Sequence, residues 1–232
     1  MNVRVHPVRF YGIYSSKEDV PHPRSDYDNH RDDGSPLVNG ATQKMIDVVR
    51  SFNGNKLNVA DFGGGNGKMY STLKRETTKE FDYSIIELPE VAKDLGKEVT
   101  YCTSLEQLNN PIDILYSDAT VNLTEATAAE NIHNFCSVGA EYIVLNRSIL
   151  FAQYSEKSFY TYEPRRGAYF SFVELGEFES LFQSYGYELV QRTYTQRQKE
   201  TSESTPVVVF NIEGYPLDCP FVTYYDHIFK KK

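Results

Sequence analysis

A short apolar run, Leu57 to Phe62, leads straight into Gly63-Gly64-Gly65-Asn66-Gly67. No other stretch of the chain limits the fold as much. A strand there delivers the backbone to a tight turn that glycine alone makes. Lys68 to Arg75 carries a helical pattern, so the next helix points its N-terminus at whatever binds in the turn.

Spacing separates the ligand classes that use such turns. A nucleoside-triphosphate loop needs Gly, four residues, then Gly-Lys-Ser/Thr. Here Phe62 stands five residues before Gly67-Lys68, and Met69 follows without a hydroxyl. A dinucleotide turn needs Gly-x-Gly-x-x-Gly. Counted from Gly63 the third position is Lys68, and counted from Gly65 it is Tyr70. Both patterns fail. What remains is Asp61, Gly63, Gly65 and Gly67 at alternate positions.

The rest of the chain repeats the strand-helix alternation. Met45, Ile46, Val49 and Phe52 share one face of a helix expected over Ala41 to Phe52. Strands are expected over Tyr83 to Leu88, Val99 to Cys102, Ile112 to Tyr116 and Tyr142 to Leu145. Helices are expected from Pro89 to Gly96 and from Glu125 to Cys136, the second capped by Thr124. A helix over Phe172 to Tyr185 and strands over Glu188 to Tyr194 and Pro206 to Ile212 complete the pattern. The linker between the last two strands has no apolar helical face, so the final strand should run antiparallel. The fold class is therefore α/β: a mostly parallel seven-stranded sheet, an antiparallel last strand, and helices on both faces. Residues 1–40 read as an irregular segment able to act as a lid, 41–215 as the domain, and 216–232 as a tail.

A net charge of −8 and a pI near 5.2 argue against general nucleic-acid binding, which draws on Lys and Arg. No apolar run is long enough to span a membrane. Cys102, Cys136 and Cys219 are odd in number and far apart, which suits neither a disulfide framework nor a zinc site. A reducing cytoplasm is the simplest compartment.

The Asp61/glycine pattern resembles the first motif of class I S-adenosylmethionine-dependent methyltransferases. That resemblance implies a Rossmann-like fold with S-adenosylmethionine as cofactor. Asp61 would then serve the ammonium of the cofactor's amino-acid tail, and Gly63, Gly65 and Gly67 would leave room for the methionine and ribose. Glu87, at the end of the second strand, would accept the ribose hydroxyls. Leu88 would pack on adenine, near Thr103 and Ser104, and Ser117 would complete the cofactor side. The competing readings are a structural glycine turn, a solvated Glu87 and a Leu88 that simply packs.

A narrower resemblance rests on Phe10-Tyr11-Gly12-Ile13-Tyr14-Ser15-Ser16, Tyr27-Asp28, the glycine motif, Glu87-Leu88-Pro89 and Leu145-Asn146-Arg147. These pieces resemble a family of bacterial methyltransferases associated with surface-polysaccharide biosynthesis. It implies a small-molecule or glycan acceptor, O-methylated on a sugar hydroxyl. The chain departs from that family at Ser117 to Asn122.

Methyl transfer to oxygen needs a positioned nucleophile and removal of its proton. Asp118, just past the fourth strand, is the first candidate for general base, with a plain turn residue as the alternative. Arg147 is a candidate for an anionic group of the acceptor, or else an ion pair that anchors a loop. His30 could fold over the pocket from the N-terminal segment, whereas His133 reads as structural or surface. Asn146 lies beside Arg147 and would touch substrate. Aromatic residues make up 14% of the chain. Phe159, Tyr160, Tyr162, Tyr169, Phe170 and Phe172 crowd one stretch with Arg165 and Arg166. Tyr162, Arg165 and Tyr169 would line an acceptor pocket, since sugar rings stack on aromatic faces. No group has metal-ligand spacing. A protein that keeps the fold and binds without catalysis is the alternative function.

Overall fold

The structure is a computed structural model and describes residues 3–20, 40–89, 98–122, 126–151, 159–163, 168–194, 207–212 and 222–232. Its strands are β1 (Val3–Tyr14), β2 (Lys56–Phe62), β3 (Glu80–Ile86), β4 (Thr100–Cys102), β5 (Ile114–Asp118), β6 (Tyr142–Phe151), β7 (Phe159–Glu163), β8 (Ala168–Glu174), β9 (Tyr187–Tyr194), β10 (Val207–Ile212) and β11 (Val222–Lys231). Its helices are α1 (Gly40–Ser51), α2 (Lys68–Glu76), α3 (Ala128–Val138) and α4 (Leu175–Ser184).

Seven strands form the main sheet in the order β4-β3-β2-β5-β6-β11-β9. From β4 to β6 every pair is parallel, and β11 runs antiparallel to both its neighbours. The order reverses between β2 and β5, so a crevice opens at their carboxyl ends, the usual ligand site of such sheets.

Strand alternation divides the core. Leu57, Val59, Ile114, Tyr116 and Val144 pack under Met45, Ile46 and Val49 of α1 and Leu73 of α2. Ala60, Leu115, Ile143 and Leu145 face Ile132 and Phe135 of α3 and Phe178 and Phe182 of α4. Helices thus cover both faces, as expected.

Several elements differ from the sequence reading. The antiparallel seventh strand is β11, in residues read as a tail, and not Pro206 to Ile212. Its Asp226 and His227 interrupt the apolar run, yet both are buried, at 1% and 0% exposure. Phe229 stacks on Phe182 with ring centres 4.0 Å apart, so β11 is part of the core. β10 instead pairs parallel with β1, a strand in the N-terminal stretch read as irregular. Phe172 lies in β8, ahead of α4, where Glu174 caps the helix by accepting the Glu177 N–H at 2.8 Å. The cap of α3 is Thr127, in a reciprocal pair with Glu130. The expected helix over 89–96 and the Thr124 cap lie outside the described residues.

β6 and β11 both continue past the main sheet. Leu150 and Phe151 of β6 pair with Val173 and Glu174 of β8, and Val222 of β11 still pairs with Phe151. β8 pairs with β7, β7 with β1, β1 with β10, and Val209 of β10 with Thr223 of β11. The result is a closed ring of six strands on the carboxyl side of the sheet, beside the crevice. Phe151, Phe159, Phe170 and Phe172 contact one another within it, each at most 3% exposed. Among the described residues no helix is long and apolar enough to cross a membrane.

Candidate functional site

The penultimate residue of β2 is Asp61, 2% exposed, whose Oδ2 accepts the Tyr83 hydroxyl at 2.7 Å. Burial is the largest influence on this carboxyl and raises its pKa to about 7. The Tyr83 hydrogen bond opposes the rise, and the charges of Asp118 and Glu87 add to it.

The turn that follows needs its glycines for different reasons. Gly63, Gly65 and Gly67 have φ of 74°, 55° and 80°, where a side chain is strained. A Cβ on Gly63 would also stand 2.2 Å from Thr120 Oγ1, and one on Gly64 would stand 2.6 Å from the Asp61 carboxyl. At Gly65 a Cβ would meet nothing within 4 Å. Two glycines are thus filled by neighbours, while the third faces open space. Gly67 caps α2, so the helix N-terminus lies at the same place.

Glu87 borders that space. Its Oε2 accepts the Gly65 N–H at 3.1 Å and its Oε1 the Leu88 N–H at 2.8 Å. Leu88 is 39% exposed, high for a large apolar residue at a crevice rim. The Glu87 N–H donates to Cys102 O at 3.0 Å, which brings the end of β4 alongside. Thr103 follows, exposed, with its N–H on Gln107 Oε1 at 2.7 Å, and Ser104 comes next. Ser117 pairs with Phe62 in register and is 1% exposed, and its hydroxyl has no hydrogen-bond partner among the described residues. An unsatisfied buried hydroxyl invites a ligand or a water.

The other half of the crevice is built around Asp118 and Arg147. The guanidinium donates from Nε to Oδ1 at 2.6 Å and from Nη2 to Oδ2 at 2.8 Å, a bidentate pair. Asp118 raises the Arg147 pKa still further. This is the ion-pair alternative for Arg147. Arg147 sits in a bulge, where Asn146 and Arg147 of β6 together oppose Asp226 of β11, and its φ is 52°. Asp226 Oδ1 accepts the Arg147 N–H at 2.8 Å, and Oδ2 pairs with Lys44 of α1 at 2.5 Å. Ala119 also has a positive φ, 60°, and its N–H donates to Asn146 O at 2.9 Å. Such strain persists only where surroundings enforce it, and it gathers at functional sites. Asn146 is buried, with Nδ2 on the Tyr116 hydroxyl at 3.0 Å, so it supports the crevice from beneath.

Asn122 ties this region to the six-strand ring. Its Nδ2 donates to Ile149 O at 2.9 Å and Ser171 O at 2.6 Å, and its Oδ1 accepts the Ile149 N–H at 2.8 Å. It fills the fork where β6 and β8 diverge. Tyr162 and Tyr169 are register partners, and Tyr11 of β1 pairs with Tyr162. Three tyrosine positions thus form one row across β1, β7 and β8. Phe159 and Phe170 alternate with them and are core. His30 and Arg165 lie outside the described residues. His133 bonds the Tyr185 hydroxyl at 3.0 Å on α3, away from the crevice.

Sequence reasoning missed Tyr83, Asn122, Asp226 and Lys44. The only signals were a departure from a family pattern at Asn122 and a lone acid in the aromatic run at Asp226.

No protein-family model matches the chain, and no curated protein does. Solved structures do. A Mesorhizobium loti S-adenosylmethionine-dependent methyltransferase aligns at TM-score 0.55 and 10% identity, over 83% of this chain and 98% of that one. A Burkholderia thailandensis 1,6-didemethyltoxoflavin N1-methyltransferase, bound to its acceptor and S-adenosylhomocysteine, aligns at 0.52 and 11%, over 84% and 79%. The magnesium protoporphyrin IX methyltransferase of Synechocystis PCC 6803 aligns at 0.50 and 12%, over 85% and 90%. The chain has the class I methyltransferase fold. A methyltransferase fold hosts different acceptors, as the Burkholderia and Synechocystis enzymes show, so the acceptor must be argued from the site.

Proposed function

We propose that this chain is an S-adenosylmethionine-dependent methyltransferase acting on a hydroxyl of a sugar or glycan in surface-polysaccharide biosynthesis. The observation that carries the cofactor is the open space at Gly65, whose N–H donates to the Glu87 carboxylate, one residue on from the Gly64 that covers Asp61. The donor set fits: a carboxylate for the ammonium, a second for the ribose diol, an apolar side chain for adenine, and the unpartnered Ser117 hydroxyl. Folds like this one bind S-adenosylhomocysteine in the Burkholderia and Synechocystis enzymes.

The cofactor supplies a methyl group on a sulfonium, which is displaced in line by the acceptor. The chain supplies position. Asp118 is fixed by both guanidinium nitrogens, and each of its oxygens keeps capacity for one more donor. It would accept a hydrogen bond from the acceptor hydroxyl and orient it. The ring, anchored by Asn122, carries Tyr11, Tyr162 and Tyr169 in one register row, a residue type whose ring can stack on a sugar. The glycan acceptor rests on that row and on the family resemblance.

Transfer of labelled methyl from S-adenosylmethionine to a panel of sugars and capsule fragments tests the proposal. Transfer to at least one hydroxyl is expected, falling about 100-fold in Asp118→Ala. Tight cofactor binding with no transfer to any acceptor would favour the non-catalytic reading, which the clamped state of Asp118 supports.

A further inference from the structure

Asp61 is an unusual acid for its position. It is 2% exposed, at the carboxyl end of β2, under the backbone of Gly64. One oxygen takes the Tyr83 hydroxyl, and no hydrogen bond to the other is found among the described residues. The ionisable groups around it come from the two neighbouring strands. Tyr83 and Glu87 lie on and just past β3, and Tyr116 and Asp118 on β5. None is a cation. The nearby cations, Arg147 and Lys44, are held by Asp118 and Asp226. A buried carboxylate with a single neutral donor and two negative neighbours is poorly stabilised as an ion, and it takes up a proton instead. The geometry therefore leaves Asp61 waiting for a positive charge from outside the chain.

We propose that cofactor binding here is proton-linked: the ammonium of the cofactor's amino-acid tail takes the place of a proton on Asp61, which leaves to solvent. The inference rests on the cofactor reading above. The exchange balances, since a neutral carboxyl and an ammonium give a carboxylate–ammonium pair and one free proton. The sign follows from mass action. Acid competes with the ammonium, so affinity rises with pH and levels off once Asp61 is ionised without ligand. With the Asp61 carboxyl titrating at about 7, the apparent affinity should rise about tenfold between pH 6 and pH 8. About half a proton should be released per site at pH 7. A nucleoside lacking the amino-acid tail should show neither effect.

Calorimetric titration of the full chain with S-adenosylhomocysteine tests this at pH 6, 7 and 8, in two buffers of different ionisation enthalpy. A buffer-dependent heat and the tenfold rise are expected for the wild type. A pH-flat affinity without buffer dependence is expected for Asp61→Asn, and for 5′-methylthioadenosine on the wild type. Carboxyl carbon resonances of the ligand-free wild type supply a second arm, in which one Asp should titrate near pH 7. Binding that is pH-flat in the wild type would overturn the proposal and leave the cofactor reading standing. No binding at any pH would overturn both. An Asp61 resonance titrating near pH 4 would overturn the proposal whatever the ligand does.

Discussion

The two halves of the crevice lie side by side on β2 and β5, and they are held in opposite ways. The glycine half is local. Its contacts, Tyr83 with Asp61 and Gly65 with Glu87, each join residues 22 apart in the chain. The Asp118 half is assembled from distant segments. Asn122 reaches Ser171 across 49 residues, Asp226 reaches Arg147 across 79, and Lys44 reaches Asp226 across 182. The charges differ in the same sense. The glycine half shows no cation on Asp61 among the described residues, whereas the other half holds two ion pairs, Lys44 with Asp226 and Arg147 with Asp118, joined by the Arg147 N–H on Asp226. An open, negative half suits a charged ligand that arrives from solution. A closed, self-neutralised half suits an orienting surface, held in shape at all times.

That contrast predicts opposite responses to mutation. The largest effect is expected from pH on the ligand-free protein. Asp61 titrates at about 7 when folded and near 4 when unfolded. The folded state therefore binds the extra proton between these values. Its stabilisation is full below the unfolded value and is lost as pH rises through about 7, a change of about 4 kcal/mol. Denaturant unfolding of wild type minus Asp61→Asn should show this slope, and parallel curves would contradict it. Next, Asp226→Ala should remove about 3 kcal/mol, because it strands Lys44 and the Arg147 N–H. The same measurement checks it, and a loss below 1 kcal/mol would show that the bulge holds itself. Asn122→Ala should remove about 2 kcal/mol by leaving backbone groups at the β6–β8 fork unpaired. Its affinity for S-adenosylhomocysteine should stay within about threefold of wild type. A larger loss of affinity would mean that the two halves are coupled through Thr120 and Gly63.

The same difference explains what was legible in the sequence. The glycine motif and Glu87 were readable because one turn and two adjacent strands bring them together, and their spacing is fixed by that local geometry. The parallel order and both helical faces followed from periodicity. β11 was not readable. A strand buried on both faces shows no clean alternation, and Asp226 and His227 look like surface residues until their partners on α1, α4 and β6 are in place. The ring was hidden for the same reason, since its closure depends on β1 meeting β10 from opposite ends of the chain. Arg147 was read as an anion contact or a loop-anchoring ion pair with no partner named, and its pairing with Asp118 depends on a bulge that no pattern in β6 announces.

The proposed seat of the cofactor is the space beside Gly65 and Glu87, next to Asp61. Calorimetry with S-adenosylhomocysteine at pH 8 tests it most directly, comparing wild type with Gly65→Arg and Glu87→Ala. Micromolar binding by the wild type is expected. Gly65→Arg, which fills the space, should weaken it at least about 100-fold, equivalent to about 2.7 kcal/mol. Glu87→Ala should weaken it at least about tenfold, or about 1.4 kcal/mol. Equal affinity in all three proteins, or none in the wild type, would contradict the account.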